Sequence, residues 1–275
     1  GLDYKFDVPS IVDDVGLELN YSYTRTRYGV AWKDLRYQNA GIGGAQNLPT
    51  AIAPDGREIF DTTPATSVAG EFDVNRGYDL LLTNTEKGYG HNASVSLNKR
   101  FNTGFNVRSS YAWQDVQEVS PATSSTSSSN YSNVSIKTNP NEPDAKRSIY
   151  ERKHRILLSA GYETSFWDDL VSSVDFLFER RSGQPYSFTM GGDRSVLARM
   201  YGESSAFSNS TTSGTNHMLF YVPKGDDSDV ILETDPEKGA IDPAALNAYI
   251  KKNGLEKYRG QIAPRNAFFS DWIQE

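Results

Sequence analysis

Chemistry in this chain would have to start from three histidines, His91, His154 and His217, because imidazole moves protons most readily near neutral pH. His91 and His154 fall in stretches of alternating polarity, whereas His217 stands in an irregular stretch beside Asn216. A Ser/His/acid arrangement needs the nucleophile within hydrogen-bond reach of its base. Serine is so common here that a chance trio is expected, and no recognised catalytic motif frames any histidine. The reading is of a protein with no catalytic residues, not an enzyme. Asp226-Asp227-Ser228-Asp229 offers the oxygen ligands a hard cation takes. It lacks EF-hand spacing and the closing glutamate, so a solvated acidic loop is the plainer reading, and no metal site is assigned. Gly41, Gly43 and Gly44 do not lead a strand into a helix as a phosphate loop requires. Arg152-Lys153-His154-Arg155 is basic but carries no array of stacking aromatics, so it does not read as a nucleic-acid site. No cofactor is expected.

The remaining polar candidates are Arg108, Arg155, Glu163, Asp175, Glu179 and Arg181, and their spacing places them on strands. Between His91 and Phe101, His91, Ala93, Val95, Leu97, Lys99 and Phe101 alternate with Asn92, Ser94, Ser96, Asn98 and Arg100. The pattern resumes with Phe105, Val107, Ser109, Tyr111 and Trp113 against Asn106, Arg108, Ser110, Ala112 and Gln114. Successive strand side chains point to opposite faces, so this is a hairpin with one apolar and one polar surface. Asn102-Thr103-Gly104 is its turn, with Gly104 free to take positive φ. The charged candidates fall on the polar surface. They either contact a solute or an inserted domain, or pair with one another across neighbouring strands and line a wet wall.

The chain has 275 residues, 37% of them hydrophobic against a usual ~45–50%. Aromatics make up 12%, which argues against disorder, and cysteine is absent, which excludes disulfides and Cys-ligated metals. A net charge of −7 gives no general attraction to nucleic acid. No run approaches the ~18 apolar residues of a membrane helix. Barrel strands carry only alternating hydrophobicity, so the membrane stays open. No signal peptide stands at the start, and strand-like residues occupy both ends, so the sequence reads as a piece of a longer chain.

Taken in order, Leu2 to Phe6 reads as a short strand, Val8 to Asp14 as a turn, and Gly16 to Trp32 as a strand. Residues 37–76 read as a long loop. Strands follow from Gly77 to Phe101 and from Phe105 to Val119. Residues 120–147 form a Ser-rich connection whose composition buries almost nothing and reads as a mobile loop. A strand resumes near Ser148, turns at Trp167-Asp168-Asp169, and returns from Leu170 to Ser187. Residues 190–265 form the longest irregular stretch, holding one helix signal: Asp242 as N-cap, Pro243 in the first turn, and Asn253-Gly254 as the stop. Ala267 to Glu275 starts another strand. Loops held by a scaffold concentrate binding residues, so Tyr201, Phe207, Phe220, Tyr221, Tyr249 and Tyr258 are candidates there. Such aromatics grip a ligand or pack the loop's own core; packing comes first, with Tyr201, Phe220, Tyr221 and Tyr258 kept as ligand candidates.

Very short connections alternate with very long ones, and the strands are long, as in outer-membrane barrels. Phe101, Phe105, Phe166 and Trp167 stand near the short turns, where a barrel carries an aromatic girdle. The expected fold is all-β, an antiparallel up-and-down transmembrane barrel fragment with long extracellular loops and one short helix in the last of them. The rival fold is a β-sandwich with Val95, Leu97, Tyr111, Leu158 and Phe176 in a shared core.

Segments 80–101, 110–133, 151–163, 176–193, 218–232 and 257–272 resemble the TonB-dependent outer-membrane receptors of the Oar-like group, in order over most of the chain. The resemblance implies the later part of a barrel of about 22 strands. Signal peptide, regulatory domain and plug would be missing from this piece. It further implies a Gram-negative outer-membrane location and energised transport of a bulky solute. The implied partners are outer-membrane lipid, the barrel's own plug, the TonB complex through the missing N-terminal part, and a solute or protein cargo. The rival function is a surface adhesin or a carbohydrate- or protein-binding module.

Overall fold

Alternating polarity becomes strands, and the turn residues set where they break. The computed structural model describes residues 2–8, 12–35, 51–59, 80–137, 139, 141–167, 170–190, 200–201, 218–226, 230, 232–238 and 240–275. The chain runs through β1 (Leu2–Val8), β2 (Val12–Arg25), β3 (Gly29–Asp34), β4 (Ala51–Ile52), β5 (Glu58–Ile59), β6 (Leu80–Thr85), β7 (Tyr89–Arg100) and β8 (Phe105–Glu118). Helix α1 (Ser127–Ser132) precedes β9 (Lys146–Arg147), β10 (His154–Trp167), β11 (Leu170–Arg181) and β12 (Pro185–Tyr186). Then come β13 (Tyr221–Val222), helix α2 (Pro243–Lys252), β14 (Gln261–Ile262), β15 (Phe268–Phe269) and β16 (Ile273–Gln274).

The protein is mostly antiparallel β-sheet. Its main sheet has eight strands in the order β1-β2-β7-β8-β10-β11-β16, with β9 beside β8. Among the described residues β1 and β16 are its two ends and do not pair with each other. The β7–β8 turn forms at Asn102-Thr103-Gly104, where the Gly104 amide donates to the Phe101 carbonyl at 3.2 Å. Gly104 has φ +90°, and a Cβ there would run into the Glu163 carbonyl of β10. Both the turn and the close approach of the next strand require glycine.

Two stretches that alternate as single strands are in fact broken. Residues 16–32 split at Thr26 to Tyr28, and 77–101 split at Glu86 to Gly88. Gly88 has φ +129°, and a Cβ on it would sit 2.8 Å from the Gln117 carbonyl and from the Thr26 hydroxyl. The chain bends there, so β3 and β6 pair as a separate ribbon. The expected turn over Val8 to Asp14 is shorter, because β2 already begins at Val12. β10 starts at His154 rather than near Ser148, since residues 148–151 turn through a Glu151 N–H···O=C Ser148 bond of 3.2 Å. The closing strand divides as well: β15 pairs with β12, and β16 with β11.

The Ser-rich connection is the largest departure. It holds α1 and buries Asn130, Tyr131, Val134, Ile136 and Asn141. The Asn141 side chain accepts from the Asp34 amide at 2.7 Å and donates to the Asp34 carbonyl at 3.0 Å. Tyr131 donates its hydroxyl to the same Asn141 at 3.0 Å. Backbone groups 107 positions away thus supply what composition does not.

Helix α2 forms as its signals dictate. Asp242 accepts from the Ala244 amide at 2.9 Å, and Pro243 occupies the first turn. Gly254 takes φ +65°, while the Leu255 and Gly254 amides donate back to the Ile250 and Lys251 carbonyls. That is the Schellman arrangement, with Leu255 and Ile250 in the accompanying apolar contact, both fully buried.

The core lies in the connections. One cluster joins Ala53, Val134, Ile136, Met190, Met200, Tyr201, Met218 and Tyr221; a second joins Phe188, Val222, Ile250, Leu255 and Ala263. The sandwich core does not form: Leu97, Tyr111, Leu158 and Phe176 are 38–58% exposed, and Val95 is half-buried.

Candidate functional site

Cross-strand partners share a face, so the register defines two surfaces on the main sheet. One row runs Leu19–Val95–Tyr111–Ile156 and the next Leu17–Leu97–Ser109–Leu158–Phe178. A third joins Lys99, Val107, Ala160 and Phe176. Leu97, Val107, Ile156, Leu158, Val174 and Phe176 are all exposed. Nothing among the described residues covers this aliphatic band.

Aromatic rings bound the band at both ends. At the turn end, Phe101 and Phe105 are exposed, and the Phe105 and Tyr162 rings lie 4.5 Å apart. Phe166 and Trp167 end β10, but their side chains lie outside those described. At the opposite end stand Tyr21, Tyr23, Tyr89, His91, Trp113, Tyr111, His154 and Trp272. Tyr21 hydrogen-bonds His91 Nδ1 at 2.8 Å, and Tyr111 bonds His154 Nδ1 at 2.7 Å. His154 stacks on Trp272 at 6.0 Å, and Arg180 lies 5.1 Å over the same indole. Both strand histidines are therefore members of an aromatic row, where His91 also stands opposite Asp115 on β8. A shallow depression of about 540 Å³ lies between the aliphatic band and this row, lined by Leu19, Tyr21, Ala93, Val95, Tyr111 and Trp113. The second row is missed by sequence reasoning, although Tyr21, Tyr23, Tyr111 and Trp113 already share one alternation.

The opposite face carries Asn20, Ser22, Asn92, Ser94, Ser96, Asn98, Ser110 and Ser159. Here the six charged candidates assemble in part. Glu179 takes a two-pronged contact from Arg155, Nε and Nη2 each at 3.1 Å, and lies 3.6 Å from Arg181. Arg181 also reaches Glu275 at 3.4 Å. Arg155 and Arg181 are direct cross-strand partners, so Glu179 and Glu275 offset two like charges. Arg108 pairs with Glu18 at 3.5 Å across β7. Asp175 and Asn106 both lean over Gly161, where a Cβ would meet them at 2.5 and 2.6 Å. Among the described residues Glu163 and Asp175 make no ion pair. The face is polar with local charge pairing, each exposed pair contributing ~0.2–1 kcal/mol.

The loop candidates fall the other way. Tyr201 and Tyr221 are buried at 5% and 7%, while the half-buried Phe220 packs against both cores and the half-buried Tyr258 against the second, so all four help to hold the loops together. Burial and the Asp55 carboxylate push the Tyr201 phenol well above its ordinary value. Among the described residues, Tyr186 and Tyr249 are exposed rings beside this region, seated edge-on against Phe188 at 5.4 and 6.0 Å.

Polar contacts fasten these connections to the sheet. Arg265, 6% exposed, donates to the Val119 carbonyl at 3.2 Å and to the Glu118 carbonyl, at the end of β8. Burial lowers its pKa, with Glu118 and Asp144 opposing. Asn266 donates to the Arg147 carbonyl at 2.7 Å. Glu151, 1% exposed, accepts from the Val116 amide at 2.7 Å. Its other oxygen lies 3.0 Å from Arg147 Nε, close enough for attraction but not aligned as a hydrogen bond. Burial raises the Glu151 pKa above the ordinary carboxylate range, while Val116 and Arg147 pull it back.

His217, Phe207, the three loop glycines and Asp227 to Asp229 lie outside the described residues. Among the described residues no group of His, Asp or Glu side chains is placed to hold a metal ion. Compared with known proteins, the chain matches no family model, and no curated protein or solved structure matches it.

Proposed function

We propose that the eight-stranded sheet is part of the wall of an outer-membrane barrel and that the chain belongs to a TonB-dependent, Oar-like receptor that moves a bulky solute. The observation that carries the membrane reading is the uncovered aliphatic band between two aromatic rows. From Phe105 to Trp113, β8 rises roughly 27 Å at about 3.4 Å per residue. A strand tilted by ~40° would span roughly 20 Å of membrane, close to the ~25 Å apolar band of such barrels. Removing a large apolar side chain from water is worth ~1.5–3 kcal/mol. A wet face would forgo that at Leu97, Leu158 and Phe176, and hydrocarbon would recover it. The Ser- and Asn-rich face then lines the lumen, where it meets water, a plug and passing solute. No covalent chemistry is assigned. TonB contact, energy coupling and the plug rest on the sequence resemblance alone.

The chain has no cysteine, so single cysteines can be spin-labelled without background. Labels at Leu97, Val107, Leu158 and Phe176 should be reached by oxygen in lipid and shielded from a water-soluble nickel chelate. Labels at Ser110 and Ser159 should show the reverse. Equal access of the chelate to both sets would end the membrane reading.

A further inference from the structure

We infer that the described parts of the three long connections form one cooperative unit, keyed by the buried Asp55–Arg57 pair, and that they open together or not at all. Arg57 is fully buried, and its Nε lies 2.7 Å from the Asp55 carboxylate. An Nη donates to the Leu219 carbonyl at 3.0 Å, across 162 positions of sequence. The Tyr201 hydroxyl donates to the same Asp55 carboxylate. Residues 218–222 are the shared spine. The Leu219 amide donates to Ile136 of the second connection at 2.9 Å, and the Phe220 amide to Phe188 at 3.0 Å. Ala263 closes the other side on the Phe220 carbonyl at 2.8 Å.

The side chains repeat this dependence. Of its described residues, the first connection contributes Ala53 alone to the buried cluster, far too little to offset the entropy of ordering residues 51–57 by themselves. Val134 and Ile136 of the second connection pack on Met190, Met200 and Met218 of the third. Phe220 packs against both apolar clusters and joins them. The burial of the first two segments is therefore completed by the third, which carries the second cluster itself. Breaking the ion pair strands a charge in the middle of that shared core, and segments sharing one core lose protection together. A ligand approaching these connections meets one body that shifts as a whole. The inference stands whether or not the sheet lies in a membrane.

Hydrogen exchange on the full chain tests it, with the Ala53, Leu219, Phe220 and Ala263 amides as probes. In Tyr201→Phe, which removes one hydroxyl from Asp55, all these amides should exchange faster by a common factor of at least about fivefold. In Arg57→Met the common factor should be larger, with the amides of β7, β8 and β10 unchanged. Acceleration confined to residues 51–57 would overturn the inference. So would equal acceleration of the connections and the strands, or none in either variant. Should Arg57→Met fail to fold, Tyr201→Phe decides alone.

Discussion

The sheet and the connections above it invert the usual division of labour. In an ordinary soluble β-protein, strands carry the core and loops carry the polar surface. Here Val174 is 74% and Phe176 58% exposed in mid-strand, while Val222, Ile250, Leu255 and Ala263 in the connections are fully buried. On the proposed reading the two regions face different solvents. The connections hold together as a water-soluble protein does, by excluding water from a core. The strands hold by backbone pairing, and among the described residues nothing covers their apolar side. Alternating polarity reports that a strand has two unlike faces, and it does not report which neighbour the apolar one meets.

The largest expected effect lies in the connections. Leu255→Ala should cost ~2–5 kcal/mol of stability to denaturant, because a filled core site becomes a cavity. A loss below about 1 kcal/mol would mean that this core is not what holds the region. The comparison sharpens on the sheet with Leu158→Lys and Ser159→Lys, adjacent residues on opposite faces. If the band meets hydrocarbon, Leu158→Lys should cost ~2–4 kcal/mol in a lipid refolding titration. Ser159→Lys, on the polar face, should stay within about 0.5 kcal/mol. Equal costs would show that both faces meet the same medium. The smallest effect is pH-dependent and sits where the two regions join. The folded pKa of Glu151 is raised, so the folded state binds its proton more tightly than the unfolded chain does. That stabilisation is fully present below the unfolded value of ~4.3 and is lost as pH rises through the folded value. Glu151→Gln should remove this component. The difference in melting temperature between native protein and variant should therefore change across that window in favour of the native protein at low pH. A difference constant with pH would show that the carboxyl does not titrate as its burial implies.

Much of the scaffold is legible from local signals. Asn102-Thr103-Gly104 gives the β7–β8 turn, and Asp242-Pro243 with Asn253-Gly254 brackets α2, because caps and turns are decided by residues within a few positions of each other. The pairing of Arg155 with Glu179 also follows from alternation once two strands are set side by side. What cannot be read is set by distant partners. Serines at 127–129 look like linker, yet Asn141 and Tyr131 tie that connection to Asp34 through backbone groups on another strand. Arg57 resembles a surface arginine until Leu219 is brought to it. Tyr201 and Tyr221 share the composition of binding aromatics, and only packing reveals that they are core. The second aromatic row was within reach, since Tyr21, Tyr23, Tyr111 and Trp113 alternate on the same side as Leu19 and Val107.

The short turn at Gly104 bears on the order of assembly. It brings Arg100 to Asn106 and Lys99 to Val107, so β7 and β8 can zip from neighbouring residues with little loop to close. β10 and β11 start from a similar nearby contact, Trp167 with Leu170. Pairing of β2 with β7 must instead close the whole first connection, and Arg57 must find Leu219 across 162 positions. Closure entropy and contact order place such events late. The two hairpins should thus exist, apolar side bare, before the connections have folded over them. During that interval the chain's need for a sheltering surface is at its greatest.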